Sequence, residues 1–353
     1  MSSPTLGIVG VGLIGGSIGM AARRAGWLVL GTDDPSSLER ALKVGAIDRA
    51  AGLDEIRAVD MVVLAAPVSR IPSLLGELAS TGALVTDVGS TKSAIVRGAR
   101  EAGILRFVGG HPMAGSQLAG VANASPDLFR GARYLLTPTD DTLPEAYARV
   151  TQFARDDLGA VPTAVDPERH DLLIAALSHL PHLLAVALLQ VTADISPDAL
   201  SFAGPSFRDL TRVGASNPLL WADILAENAP AVREMLEAFT EAMRRLEGDI
   251  GNRPATEHHF AQAGDAYQAL GGILIERTGR NVDIAVAVEN RPRVLAQVTT
   301  LMGSNDINIL DLYMQHSDTR HAALVLTIDA AGMERALALL RDAGFRADRA
   351  ETG

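Results

Sequence analysis

Residues Leu6–Ser17 read LGIVGVGLIGGS and carry the pattern on which the fold depends. Leu6–Val9 is a short apolar run typical of a buried strand, and a G-x-G-x-x-G turn follows it at Gly10, Gly12 and Gly15. Those glycines permit a tight turn and let the backbone approach a pyrophosphate, whose charge then lies at a helix N-terminus. The stretch therefore predicts the first strand, turn and helix of a dinucleotide-binding sheet.

The acid at the end of the next apolar run predicts the cofactor. Asp33 follows Trp27–Leu30 and lies where a carboxylate accepts the ribose hydroxyls of NAD. No arginine follows Asp33 before Arg40, so a 2′-phosphate would meet the carboxylates of Asp33 and Asp34, which favours NAD over NADP. A glycine-rich turn without a ligand is the alternative. Three further positions complete the predicted cofactor-binding set: Leu13, Ile14 and Pro67.

Composition limits the class of protein. A chain of 353 residues exceeds what one core usually serves, and 48% hydrophobic with 21% charged residues indicates a well-packed globular protein. The formal net charge of −11 argues against a nucleic-acid partner or an anionic membrane surface. The chain has no cysteine, which excludes disulfides, thiolate metal sites and thiol catalysis. No signal peptide is evident at the N-terminus, so we expect a cytoplasmic location.

Three domains are predicted from the changing pattern. Strand-like runs separated by helix-length segments continue to about residue 165, which indicates an α/β domain with a Rossmann-type, parallel, doubly wound sheet over residues 1–165. Residues 166–279 carry apolar residues at helical spacing and no strand pattern, which predicts an all-α domain. Its helices are more apolar than one copy can bury, so we expect it to form a homodimer.

The C-terminal segment, residues 280–353, shows a different order. Alternating apolar residues from Val282 to Val288 predict a strand, and the order β-α-β-β-α-β over the segment is ferredoxin-like. The segment offers no obvious nucleophile or acid–base pair. We therefore interpret it as regulatory or structural.

Two polar clusters follow strands of the first domain. Ser90, in DVGSTK at Asp87–Lys92, can reach both a nicotinamide and a substrate, although a plain helix N-cap is an equal alternative. His111, in HPMAGS at His111–Ser116, is held by glycines and a proline and suits a crevice better than a core. Its ordinary pKa allows it to accept a proton near neutral pH.

Two more clusters lie in the predicted helical domain. The sequence SHLPH at Ser178–His182 places Ser178 and His182 on one helix face, and Pro181 between them kinks that helix. These polar residues interrupt a long apolar stretch, so we interpret it as a core helix with a site and not as a membrane span. No acidic or thiolate companion is close by, which disfavours zinc. In FRDLTR, Arg208 and Arg212 predict a clamp for a carboxylate, with an exposed Asp209–Arg212 pair as the alternative.

The motifs together resemble the prephenate dehydrogenase family, also called TyrA, with a C-terminal ACT domain. GVGLIGGS, DVGSTK, HPMAGS, SHLPH and FRDLTR occur in the family's order and are followed by Trp221. The resemblance implies NAD-dependent oxidation of prephenate, a cyclohexadienol with two carboxylates, to 4-hydroxyphenylpyruvate and CO2 in tyrosine biosynthesis. It implies that His111 takes the hydroxyl proton and that Ser90 hydrogen-bonds the same hydroxyl.

The resemblance also assigns the substrate pocket. Arg212 is expected to hold the ring carboxylate, with Asp209 buttressing it. Four residues are expected to surround the substrate: Ser178, His182, Arg208 and Trp221. Gln117 stands where the family commonly has a glutamate, and a neutral amide there cannot act as an ionic gate.

The ACT domain implies a regulatory ligand, the end product tyrosine. Three asparagines are expected to bind its amino and carboxylate groups: Asn290, Asn305 and Asn308. Arg293 departs from the glycine that relatives often have in that turn. Two alternatives for the whole chain stay open: an arogenate dehydrogenase, or a non-catalytic NAD-binding sensor.

Overall fold

A computed structural model describes residues 3–79, 81–115, 120–196, 198–275, 281–289, 291–316 and 321–350. Within it the chain separates into two compact units, Met1–Ala242 and Met243–Gly353. The finer division into three domains stays a prediction.

The first unit contains an eight-stranded sheet. Its strands are β1 (Thr5–Val9), β2 (Leu28–Thr32), β3 (Arg49–Ala50), β4 (Met61–Leu64), β5 (Leu84–Asp87), β6 (Phe107–Pro112), β7 (Arg133–Thr137) and β8 (Val161–Ala164). They lie in the order β3-β2-β1-β4-β5-β6-β7-β8. The order reverses between β1 and β4, and the crevice outside their carboxyl ends is where doubly wound folds bind ligands.

The predicted strands are confirmed, with two differences. Arg49–Ala50 forms a two-residue edge strand that the sequence pattern did not indicate. The sheet is also not parallel throughout, because β7 runs antiparallel to β6. Antiparallel neighbours need no crossover helix, so β7 can lie directly beside β6, with β8 outside it at the edge of the sheet.

Helices cover both faces of this sheet. They are α1 (Leu13–Arg24), α2 (Pro35–Lys43), α3 (Leu53–Ile56), α4 (Ile71–Glu77), α5 (Ser93–Glu101) and α6 (Pro144–Gln152). Successive strand residues point to opposite faces. Ile8 and Val63 accordingly belong to one buried cluster, and Val9 and Val62 belong to the other. Two separate cores on one sheet are the physical basis of the doubly wound arrangement.

The predicted helical region is confirmed. It contains α7 (Pro167–Ile174), α8 (Leu180–Ile195), α9 (Pro205–Thr211), α10 (Pro218–Glu227), α11 (Ala229–Gly248) and α12 (Arg253–Ile275). A π-helical turn, Ala175–His179, joins α7 to α8, whose second residue is Pro181. The resulting run of 29 residues, Pro167–Ile195, is long and apolar enough to cross a membrane by length and composition alone. Large apolar side chains stay exposed along it, including Leu177, Val191 and Ile195.

The second unit ends in a small antiparallel sheet. Its elements are β9 (Asn281–Glu289), α13 (Val294–Gly303), β10 (Ile309–His316), β11 (His321–Asp329), α14 (Met333–Asp342) and β12 (Arg346–Arg349). The strand order is β10-β11-β9-β12. Both helices contribute to the core of this sheet, where Val298 and Leu337 are buried with Val286. Arg293, which precedes α13, has a φ of 75°, in the left-handed region that favours glycine.

Candidate active site

The glycine turn after β1 is built for close backbone approach. A side chain at Gly10 (φ 95°) would place its Cβ 2.5 Å from the carbonyl oxygen of Ala65, and one at Gly15 would reach 1.9 Å from the Gly10 oxygen. At Gly12, in contrast, a Cβ would meet nothing within 4 Å. Because α1 begins at Leu13 with no side-chain cap, its first amides are available to an anion. The turn therefore fits the pyrophosphate of NAD.

Asp33 is tied to that turn. Its Oδ2 accepts the Val11 amide at 2.7 Å, and its Oδ1 accepts the Asp34 amide at 2.7 Å. Each carboxylate oxygen keeps a second lone pair for a ribose hydroxyl. Asp34 caps α2 by accepting the amides of Ser36 and Ser37. Hydrogen bonds from the Ser37 and Ser36 side chains, followed by that from the Ser37 amide, hold the pKa of Asp34 below its ordinary value.

Ser90 follows β5 and is half-buried. The alternative interpretation of Ser90 as a helix N-cap is wrong, because α5 begins at Ser93 and has Lys92 at its cap position. The carboxylate of Asp171 on α7 instead accepts the amides of Lys92 (2.7 Å) and Ser93 (2.8 Å). The Ser90 hydroxyl makes no hydrogen bond within the described residues, which leaves it available to a ligand.

A buried ion pair fixes the backbone just before His111. The side chains of Lys92 and Asp87 are fully buried and paired with each other. The Lys92 ammonium donates to the Gly110 carbonyl at 2.7 Å, while the Gly110 amide donates to Asp87 at 3.1 Å. Both backbone groups of Gly110 are thus held by one ion pair.

His111 lies at the carboxyl end of β6 and is half-buried. Its Nδ1 is 2.9 Å from Nε2 of His170, whose Nδ1 is 2.9 Å from Oδ1 of Asp171. Burial, followed by the charges of His170 and Lys92, lowers the pKa of His111 well below its ordinary value. The imidazole is therefore neutral near pH 7 and can accept a proton.

The predicted substrate helix carries an aromatic stack. The rings of His182 and Trp221 lie 3.7 Å apart between centroids and nearly parallel, with His179 edge-on to Trp221. The Ser178 carbonyl is 2.8 Å from Nδ1 of His182. Asn228, at the end of α10, donates to the Asp171 carbonyl at 2.9 Å and lies 3.2 Å from Nδ1 of His179. The structure therefore joins α7, α8 and α10 around one polar centre.

The two arginines are both exposed. Arg212 begins a 3₁₀ turn, Arg212–Ala215, and its charge lowers the pKa of His182 after the larger effect of burial. Gly214 of that turn packs on α8, where a Cβ would come within 2.8 Å of Leu189. Arg208 donates to the Ala203 carbonyl at 3.3 Å.

The pairing expected between Asp209 and Arg212 is not found: within the described residues these two side chains form no ion pair. Both lie on the exposed surface, where an ion pair adds little stability. The buttressing role given to Asp209 is therefore corrected.

Some predicted residues lie elsewhere. Gln117 and Asn290 fall outside the described residues. Asn305 donates to the Leu301 carbonyl at 2.9 Å, and Asn308 is exposed beside β10. His170, Asp171 and Asn228 were missed, because nothing in their local sequence marks them.

Known proteins are similar to this chain in both the sheet and the helical region. Residues 18–161 match the nucleotide-binding domain of prephenate dehydrogenase, and residues 166–261 match its dimerization domain. Prephenate dehydrogenase of Bacillus subtilis is 32% identical over 325 residues, which are 87% of each chain. The A. aeolicus prephenate dehydrogenase, solved with hydroxyphenyl propionate and NAD+, has a TM-score of 0.72 and 31% identity, covering 76% of this chain and 99% of its own. Synechocystis arogenate dehydrogenase has a TM-score of 0.68 and 32% identity, with 75% and 99% coverage.

The crevice and the neutral histidine at its edge define a dinucleotide-dependent dehydrogenase. The part of the chain that contains most of this sheet matches a nucleotide-binding domain, and the similar A. aeolicus enzyme was solved with NAD+. The chain belongs to the prephenate dehydrogenase family, as its motifs predicted.

Proposed function

We propose that His111 is the general base in the oxidative decarboxylation of prephenate to 4-hydroxyphenylpyruvate and CO2. The activity of the family is NAD-dependent prephenate dehydrogenation, and this chain shares it. The observation that carries the assignment is the neutral imidazole at the carboxyl end of β6, on the same edge of the sheet as the carboxyl ends of the parallel strands β4 and β5. A ring nitrogen with a lowered pKa is free to accept a proton at neutral pH.

In the proposed reaction His111 takes the proton of the ring hydroxyl while hydride leaves the carbon that bears it. NAD, when bound, accepts that hydride. Ser90 hydrogen-bonds the hydroxyl and orients it toward His111. The bond to the ring carboxylate then breaks and CO2 departs. The electron pair of that bond makes the ring aromatic and leaves a phenolate oxygen, which takes the proton back from His111. The protein mainly positions groups and stabilises developing charge.

Arg212 is proposed to hold the ring carboxylate. After the larger effect of burial, the charge of Arg212 lowers the pKa of His182, which supports a position of Arg212 beside the stack of His182 and Trp221. Ser178, Trp221 and Arg208 belong to the same proposed pocket, and the sequence assigns Gln117, with its neutral amide, to the same substrate-binding set. An arginine fork suits a planar carboxylate better than a single point charge does.

The dimerization domain implies a homodimer. A second copy of this chain is proposed to cover the exposed apolar residues of the long helical run, such as Leu177 and Val191. Burial against another copy, and not lipid, then accounts for the apolar character of the run. A cytoplasmic enzyme without nucleic-acid or membrane partners is part of the same proposal.

The C-terminal sheet is proposed to be a ferredoxin-like ACT domain that binds tyrosine. Its β-α-β-β-α-β element order and its strand order, with β9 and β11 central, support that assignment. Asn290, Asn305 and Asn308 are the proposed ligands of the amino acid. Deleting residues from Val282 onward is expected to leave an active dehydrogenase that tyrosine no longer inhibits, whereas unchanged inhibition would place the tyrosine site elsewhere.

Formation of NADH by the purified full chain tests the function. Prephenate with NAD is expected to react, and arogenate and NADP are compared under the same conditions. Preference for arogenate would make the chain an arogenate dehydrogenase. Absence of turnover with both substrates would favour a non-catalytic sensor.

A further inference from the structure

His170 is a fully buried histidine with both ring nitrogens engaged. Its Nδ1 faces the Asp171 carboxylate and its Nε2 faces Nδ1 of His111, each at 2.9 Å. A polar chain buried in this way is costly unless each member is satisfied. The three side chains therefore form one continuous hydrogen-bonded line that ends at the proposed base.

Asp171 anchors the line. Although burial favours its protonated form, hydrogen bonds from His170, Ser93 and Lys92 hold its pKa below the ordinary value. Two of these donors are backbone amides at the start of α5, where the helix dipole also favours a negative charge. The Asp171 carboxylate is thus ionised near neutral pH, and an ionised carboxylate can only accept hydrogen bonds.

The direction of each hydrogen bond follows from that charge. Since Asp171 only accepts, Nδ1 of His170 carries a proton. Burial lowers the pKa of His170, so the ring is neutral and its Nε2 is an acceptor. The hydrogen on Nδ1 of His111 must then point at His170, which leaves Nε2 of His111 with the basic lone pair.

We propose that His170 and Asp171 are positioning residues that fix the tautomer and orientation of His111, and that the Asp171 carboxylate stabilises the imidazolium that forms on it. The inference rests on the proposed role of His111 as base. One proton moves from the substrate hydroxyl to Nε2 of His111, and every other proton on the line keeps its nitrogen.

The surrounding charges agree with this role. Among the described groups that act on the ring, His170, Lys92 and His179 disfavour its protonation, and Asp171 favours it. The charge of Lys92 is itself paired with Asp87. Asp171 is therefore the group that offsets the positive charge on His111 during proton transfer.

The first test observes the tautomer without turnover. The full chain is labelled with [15N]histidine, and the His111 signals are assigned by their loss in His111→Asn. Nδ1 of His111 is expected to be protonated and Nε2 unprotonated near pH 7. A proton on Nε2 would overturn the inference, and this result does not depend on whether His111 proves to be the base.

The second test compares two substitutions of His170. In His170→Gln the amide oxygen can replace Nε2 as acceptor, whereas His170→Leu offers none. His170→Leu is expected to lower kcat by about 10²-fold or more, because the other tautomer presents N–H to the substrate. The KM for prephenate should stay within about threefold of the value for the unsubstituted chain, and the acidic limb of the pH profile of kcat should move. The kcat of His170→Gln should be at least about tenfold higher than that of His170→Leu.

Phe153→Leu is the matched control, because Phe153 is fully buried in the core beside Trp27 and has no contact with the line. It should lower thermal stability without moving the pH profile. Equal losses of kcat in His170→Leu and His170→Gln, or a loss confined to KM, would reduce His170 to a structural role. If His170→Leu does not fold, His170→Gln and the tautomer measurement still decide the question.

Discussion

The backbone amide of Val11 donates to the carboxylate of Asp33 across 2.7 Å, so the glycine turn and the acid predicted to bind the ribose form one unit. Asp33 holds the turn by this hydrogen bond, and on the predicted binding mode it also presents negative charge where NAD and NADP differ. Asp33→Asn separates the two effects, because asparagine keeps an oxygen that accepts the Val11 amide and loses the negative charge.

Asp33→Ser is expected to narrow the preference for NAD over NADP, because the repulsion of a 2′-phosphate is lost. Arg40, on the same side of α2 as Ser36, remains to meet that phosphate. Ratios of kcat/KM for the two cofactors measure the effect. Asp33→Asn is the control: it should narrow the NAD-to-NADP ratio of kcat/KM as much as Asp33→Ser does, but it should lose less activity with NAD than Asp33→Ser loses. An unchanged ratio in both variants would remove Asp33 from the ribose site.

His111→Asn is expected to lower kcat about 10²–10⁴-fold, the usual range for loss of a general base, with little change in binding. Since the pKa of His111 lies well below 6.5, its contribution to activity should persist below that pH. Steady-state kinetics from pH 5 to 9 measure both effects. His258→Asn, which changes an exposed histidine of α12, should behave like the unsubstituted chain. A change in KM alone would contradict the assignment.

Arg212→Ala should chiefly weaken prephenate binding, by about 2–5 kcal/mol if the carboxylate is desolvated in the complex. The KM for prephenate, with NAD saturating, reports the loss. Asp209→Asn is the matched substitution on the same surface and is expected to change KM less than twofold, because Asp209 does not pair with Arg212. If KM in Arg212→Ala also stays within twofold, the clamp lies elsewhere.

Stability should fall in mild acid before the carboxylates titrate. Burial lowers the pKa values of His111, His170 and His179, the last to about 4, whereas the unfolded value is 6.5. The unfolded chain therefore binds more protons below pH 6.5, and the free energy of unfolding decreases from pH 6.5 toward pH 4. Each histidine contributes at most about 1.4 kcal/mol per pH unit.

Urea unfolding at pH 7.5, 6.0 and 5.0 measures this dependence. His179→Gln removes one of the three groups, so its free energy of unfolding should decrease less steeply with falling pH. Equal stability of the unsubstituted chain at pH 7.5 and pH 5.0 would show that these histidines are not held neutral.

Arg293→Gly should stabilise the C-terminal sheet by about 1 kcal/mol, because a left-handed backbone costs a residue with a Cβ more than it costs glycine. The thermal transition of the full chain reports the gain. Arg291→Gly is the control nearby, since Arg291 is absent from the positive-φ positions, and it should gain nothing. A lower transition temperature in Arg293→Gly would mean that the arginine side chain makes contacts that outweigh its strain.

Local sequence patterns were sufficient for most of the sheet and for the proposed base. The glycine turn, the apolar strands and the histidine at Gly110-His111-Pro112 are marked by residues adjacent in the chain, where each local preference agrees with the fold. The antiparallel β7 was not predicted, because its apolar run resembles those of its parallel neighbours.

The residues behind the base could not be predicted in the same way. Asp171 holds the amide of Lys92 across 79 positions in sequence, and His170 reaches His111 across 59. Such pairings arise only when α7 packs on the start of α5. A lone histidine or aspartate on a helix face is more often a satisfied core or surface group, so nothing local distinguishes these two.

The backbone at Gly110, held at both its N–H and its carbonyl by the buried Asp87–Lys92 pair, has a consequence for how substrate choice changes in this family. The amide of Gly110 should be among the slowest to exchange with deuterium, whereas the arginines of the helical side stand exposed at the surface. If His111 is the base and the arginines bind the substrate, as proposed, the catalytic group lies on a strand held rigidly by the ion pair, and the recognition side chains can be replaced without disturbing that strand. A prephenate dehydrogenase and an arogenate dehydrogenase are each 32% identical to this chain, so on this proposal the two substrates are expected to be distinguished by residues of the helical side.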